Sequence, residues 1–189
     1  MRSRNSLVLV LGIAALASGC SYNKLQRLDE TINQAQGQIK VQLQRRSDLI
    51  PNLVNTVKGV THQEDTVFIS IANARAKLSG AVSSNDIAGM SQANAALNAG
   101  IGRLLAISEA YPQLRSTENF KALQDELAGT ENRIAVARTD YNTAVQTFNS
   151  TIRQFPTNIT AKMFKLGKPK PYFDVTTPGA ENAPVVKFP

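Results

Sequence analysis

Apolar side chains recur at helical spacing over most of the chain. The clearest stretch is 117–154, where Phe120, Leu127, Ile134, Tyr141, Phe148 and, just beyond, Phe155 fall on a strict seven-residue repeat. Leu123, Thr130, Ala137, Ala144 and Thr151 form a second stripe, flanked by Val145 and Ile152. This pattern predicts a coiled-coil-like seam, and the small residues of the second stripe let a neighbouring helix come close. Ser116 or Thr117 stands at the cap position, Glu118 opens the first turn, and Pro156 stops the helix. Thirty-eight residues would run about 57 Å at 1.5 Å each, which predicts an elongated bundle.

An earlier stripe runs through Leu25, Leu28, Ile32, Ala35, Ile39 and Leu43. Pro51 interrupts it, predicting a kink or break near 48–51, and Leu53, Val54, Val57, Val60, Val67, Ile71, Ala74 and Leu78 continue the helix. Residues 79–86 read as a turn, with Asn85 or Asp86 as the cap of a helix over 87–110. Gly89, Gly100 and Gly102 weaken that helix, and Tyr111-Pro112 closes it. Five of the eight prolines lie in 169–189, which reads as an extended tail whose Val185, Val186 and Phe188 can pin its end.

The N-terminus has a different pattern. Arg2 and Arg4 precede an apolar stretch from Leu7 to Ala17, the length of a signal-peptide core and too short for a bilayer-spanning helix. It ends in Ala17-Ser18-Gly19-Cys20, which resembles a bacterial lipobox, although the usual Leu lies one position early, at Leu16. Cys20 is the sole cysteine, so it is the expected lipidation site, and several acyl chains would anchor the protein stably. Ser21 after it points to the outer membrane, facing the periplasm, where the cell has one. Cleavage would leave 19 basic against 14 acidic residues, a net charge of +5. The basic residues are scattered, with one local excess at Lys162, Lys165, Lys168 and Lys170, suited to solvent, anionic lipid or cell-wall polymer.

Catalytic constellations are sparse. One Cys excludes an internal disulfide or a cysteine zinc site, and one His excludes two-histidine metal motifs. His62, near Glu64 and Asp65, reads as helix surface. Ser21 to Lys24 matches Ser-x-x-Lys beside the anchor rather than in a pocket. Gly100-Ile101-Gly102 lacks the third glycine of a dinucleotide loop and reads as a place where helices approach. The densest polar group is Arg45, Arg46, Asp48 and Asn52 beside Pro51, with Glu131, Arg133, Arg138, Asp140 and Asn142 on the last long helix. Packed antiparallel, these groups form one network, either fixing register and bend or making a notch for a partner peptide or ligand.

Three segments resemble the LemA family of bacterial envelope proteins. The first is Tyr22 to Leu25 with Gln38 to Val54, read QIKVQLQRRSDLIPNLV. The second runs from Tyr111-Pro112-Gln113-Leu114 through Leu123 to Leu127 and Thr130 to Ala135 to Asp140-Tyr141-Asn142. The third is Phe155-Pro156-Thr157-Asn158, then Pro171-Tyr172-Phe173 and Pro184, Val186 and Phe188. The resemblance implies an antiparallel helical bundle and a place in the envelope, and it implies no defined reaction. Family members usually carry an N-terminal membrane helix, from which the short stretch and Cys20 depart.

The expected architecture is all-α: an elongated antiparallel bundle of about four long helices with an extended C-terminal tail. The expected division is a signal peptide at 1–19, anchor and linker at 20–24, bundle at 25–166 and tail at 167–189. The expected role is a membrane-tethered, non-enzymatic scaffold, adaptor or regulator of another envelope protein, with no cofactor and no nucleic acid. The alternatives are a self-assembling structural protein, or an enzyme of unknown reaction using the Arg/Asp/Glu notch.

Overall fold

The computed structural model describes residues 2–59 and 65–173, with side chains from residue 21 onward. The side chain of Cys20, His62 with Glu64, and the tail from 174, including Val185, Val186 and Phe188, lie outside the described residues. Among the described residues there are six helices and no strand: α1 Arg2–Lys58, α2 Asp65–Ser84, α3 Ile87–Ser108, α4 Pro112–Ser116, α5 Glu118–Thr151 and α6 Thr157–Met163. The all-α expectation holds: α1, α2, α3 and α5 are the long helices, and α4 and α6 are short additions of five and seven residues.

Two boundaries differ from expectation, each for a local reason. The helix expected to continue past Pro51 to Leu78 ends at Lys58, and α2 starts at Asp65. Gly59 follows α1, and its N–H still bonds the Asn55 carbonyl at 3.2 Å; glycine is the usual residue past a helix end. The turn expected at 79–86 shrinks to two residues because α2 runs on to Ser84. The Ser83 and Ser84 hydroxyls bond back to the carbonyls of Ser79 and Gly80, at 2.9 Å each, so both serines sit comfortably in a helix. Asn85 then takes a φ of 58°. Its N–H reaches Val82 and that of Asp86 reaches Ala81, a Schellman end in which asparagine tolerates the left-handed region.

The cap of α5 is as expected: the Phe120 N–H bonds the Thr117 hydroxyl at 3.4 Å. The seven-residue stripe is also buried from Phe120 through Leu127, Ile134 and Tyr141 to Phe148. Phe155 is the exception at 80% exposed, because α5 ends at Thr151 and the repeat loses its helix.

The chain divides into two compact units. One comprises Met1–Gln38 and Ala137–Tyr172; the other comprises Ile39–Val136 and Phe173–Pro189. The first buries Leu25 and Ile32 of α1, Tyr141, Val145 and Phe148 of α5, and Ala161 of α6. Its extended segment before Tyr172 is tied down by polar groups. The Tyr141 hydroxyl bonds the Pro171 carbonyl at 2.9 Å, and the Asn149 side chain bonds both the N–H and the carbonyl of Lys170. Lys170 Nζ lies 2.6 Å from Asp29 Oδ1 and over the Phe148 ring.

The second unit packs α1, α2, α3 and α5 around Leu43, Leu53, Ile71, Leu78, Leu97, Leu104 and Phe120. α2 and α3 touch at Gly100, where an added Cβ would stand 2.7 Å from Ile71 Cγ1. Gly100 therefore permits the close approach expected of the Gly100-Gly102 pair, whereas Gly102 faces open space. α1 and α5 run antiparallel here, since Gln42 meets Arg133 while Arg45 meets Glu126.

Candidate functional site

The candidate site lies in the second unit, on α1 around Pro51. The helix continues through this proline: of the kink or break expected near 48–51, there is no break. Proline has no N–H, so the Ser47 carbonyl one turn earlier loses its helical partner. Arg75 of α2 supplies the replacement: its Nε donates to the Ser47 carbonyl at 3.1 Å and lies 3.2 Å from the Ser47 hydroxyl. Ser47 is buried, so an unmet carbonyl there would be costly. A hollow of about 310 Å³, lined by Ile50, Pro51, Val54, Phe68, Ile71 and Arg75 among others, lies beside this contact.

Arg46 occupies the core stripe of α1. Leu25, Ile32, Ile39, Arg46 and Leu53 follow at intervals of seven, and all five are buried. The Arg46 side chain is 5% exposed and pairs through Nη1 with Glu131 Oε2 of α5. Burial pulls its pKa below the usual guanidinium range, to about 10, which leaves it charged at neutral pH. Asn98 of α3 donates to both Glu131 oxygens at 3.3 and 3.4 Å, so three helices converge on one carboxylate. Arg46 Nε, Asn98 Oδ1 and Asn94 Oδ1 are buried with no partner among the described residues. The Arg46–Glu131–Asn98 cluster thus retains one donor and one acceptor beyond those it uses internally.

A more exposed group lies nearby on α1 and α5. Glu126 bridges Arg45 at 2.5 Å and Arg133 at 3.2 Å, and Arg133 Nε donates to Gln42 at 3.2 Å. At this exposure such pairs contribute ~0.2–1 kcal/mol each, enough to favour a register but not to hold the fold. Glu126 also lines a cleft of about 550 Å³ between α1 and α5, with Leu49, Asn52, Asn55, Thr56, Asn119, Ala122 and Leu123. Four of these carry neutral amides or a hydroxyl, able to donate and accept at once, set beside leucine and alanine. That mixture suits an extended peptide better than a phosphate or metal. Among the described residues no group of three His, Cys, Asp or Glu is placed to hold a metal.

The residues singled out from the sequence therefore separate. Arg45, Arg46, Glu131 and Arg133 join in ion pairs in the second unit, and Asn52 lines the cleft. Asp48 is exposed and accepts from Gln44 at 2.9 Å, one turn away on its own helix. Arg138, Asp140 and Asn142 belong to the other unit. Arg75, Asn94, Asn98 and Glu126 had not been singled out as site residues. The burial of Arg46 had a readable signal, its place on the seven-residue stripe. The role of Arg75 had half of one, since Pro51 announces a free carbonyl without naming its donor.

The sequence model of the LemA family matches residues 35–188. Magnetosome protein MamQ 2 of Paramagnetospirillum magneticum is 28% identical over 163 residues, covering 74% of this chain and 60% of that protein. Magnetosome protein MamQ of Magnetospirillum gryphiswaldense is 26% identical over 158 residues, 71% of this chain and 58% of the relative. The chain thus spans about three-fifths of the length of these relatives. Among the described residues no helix is long and apolar enough to cross a membrane.

Proposed function

The chain belongs to the LemA family, and on that premise we propose that it is a membrane-tethered adaptor of the bacterial envelope. It is held by lipid at Cys20 and engages a segment of another envelope protein in the cleft between α1 and α5. The observation that carries this reading is the cleft itself. Its walls are uncharged amides and small apolar side chains with one bridged carboxylate, a surface made for peptide backbone rather than for bond-making chemistry. The buried Arg46–Glu131–Asn98 cluster holds α1, α3 and α5 in register, so the cleft is pre-formed and binding costs little reordering. The resemblance to proteins named for an assembly, the magnetosome, is compatible with an adaptor. The lipid tether rests on the apolar run ending in Cys20.

The test places a photocrosslinking side chain at Asn55 in cells and adds two variants. The expected result is one envelope protein joined at Asn55, lost in Asn119→Arg although the helix content and melting temperature are unchanged. Cys20→Ser should release the protein from the membrane fraction and remove an acyl mass from its N-terminus. Crosslinks that survive Asn119→Arg, or that reach only other copies of this chain, overturn the adaptor reading. The second result would favour self-assembly.

A further inference from the structure

The first unit ends in a corner that neither its core nor the cleft uses. α6 buries Thr157, Thr160 and Ala161 and turns its other side outward. On that side Ile159 is 54% exposed and Met163 is 63% exposed, one helical turn apart. Phe155 just before the helix is 80% exposed and Phe164 just after it is 47% exposed. Four large apolar side chains so close together are unusual on a surface bathed only by water. Lys162, Lys165 and Lys168 are exposed among them. From Tyr141 to Phe173 the sequence holds Arg153 and four lysines and not one Asp or Glu.

The corner also has a defined place along the chain. The Phe164 ring lies against that of Tyr22, centroids 4.6 Å apart. Tyr22 is two residues from Cys20 and five from the end of the apolar run at Ala17. Apolar side chains interleaved with lysines, in a stretch of sequence without Asp or Glu and next to the chain's most apolar segment, match one environment: the headgroup layer of an anionic bilayer.

We propose that the α6 corner is a second membrane contact. Phe155, Ile159 and Met163 enter the headgroup–acyl boundary, and Lys162, Lys165 and Lys168 meet lipid phosphates. The proposal rests on the membrane-tethered reading above and adds to it an orientation: the first unit lies down on the lipid instead of hanging from a flexible tether. Lys168 and its neighbours then read anionic lipid, which a lipid anchor alone does not.

The protein has no Trp, so a single indole can report on the contact. Full-length Ile159→Trp and Phe155→Trp proteins would be reconstituted in vesicles of phosphatidylcholine with phosphatidylglycerol, part of the phosphatidylcholine carrying brominated acyl chains. Ile69→Trp, an exposed position of the second unit (59%), serves as reference. The expected result is blue-shifted emission and bromine quenching at 159 and 155, absent at 69 and much weaker without phosphatidylglycerol. Changing Lys162, Lys165 and Lys168 to Gln should lower the docked-to-undocked ratio by about fivefold for each lysine. The backbone strain of Lys165, at φ 58°, makes Lys165→Gly a useful companion: it removes a charge while relaxing the fold, so quenching lost in that variant is not lost to unfolding. Equal quenching at 69 overturns the proposal, as does a blue shift without quenching, which would mean that protein covers the face. Protein that sediments with vesicles while its indole stays in water overturns this contact and leaves the tether standing; protein that fails to sediment overturns both.

Discussion

Asn149 and Asn94 are buried to nearly the same extent, 7% and 8% exposed, and they do opposite work. Asn149, in the first unit, spends its amide on both backbone groups of Lys170. It behaves as a piece of secondary structure for a segment that has none. Asn94, in the second unit, keeps a buried carbonyl oxygen without a partner among the described residues, as does Asn98. In the first unit Tyr141 likewise ties the chain to itself, through the Pro171 carbonyl, while Asn158 Oδ1 there is buried with no partner among the described residues. The second unit's interior contains a charged guanidinium whose Nε has no partner among the described residues, beside open clefts. Burial alone therefore does not tell whether a polar group's hydrogen-bonding capacity is used within the fold.

The largest effect should come from Tyr141. Removing its ring with Tyr141→Ala should cost ~3–5 kcal/mol, as for other large buried aromatics, read from chemical denaturation. Tyr141→Phe keeps the ring and tests the hydroxyl alone. Burial pushes this phenol from 10.0 up to about 12, so the folded protein holds the proton more tightly than the unfolded chain. Its contribution is complete below pH 10 and is lost as pH rises toward 12. The stability difference between wild type and Tyr141→Phe should therefore shrink over that window, and a constant difference would remove Tyr141 from the satisfied interior.

Asn149→Leu should follow, at ~1–3 kcal/mol, because two backbone groups lose their partner at once. Next comes Arg75→Ala, which should cost ~1–2 kcal/mol by stranding the Ser47 carbonyl. In a Pro51→Ala background the helix can supply its own N–H, and the cost of losing Arg75 should fall by at least half; equal costs in both backgrounds would refute the replacement role. The smallest effect, and one of opposite sign, is expected of Asn94→Leu. Filling that site with an apolar side chain of similar size should leave stability unchanged or raise it by about 1 kcal/mol, since no partner is abandoned. A loss as large as that of Asn149→Leu would erase the contrast between the two asparagines.

Much of this was legible in the chain itself. The seven-residue stripe from Phe120 to Phe148 determined which face of α5 is buried, because each period returns a side chain to nearly the same azimuth and the hydrophobic effect needs no partner's identity. The cap at Thr117 and the stop before Pro156 were likewise local matters of dihedral angle and backbone hydrogen bonding, whereas the turn expected over 79–86 is only Asn85-Asp86 because α2 runs on to Ser84. Pro51 announced a stranded carbonyl. Only the tertiary structure decided that Arg75 would fill it, that Arg46 would take Glu131 and Asn98, and that Arg138 and Asp140 would fall in the other unit. A side chain's choice among distant partners depends on where separate helices arrive in space. Six consecutive residues cannot encode that arrival; it comes from the packing of the whole.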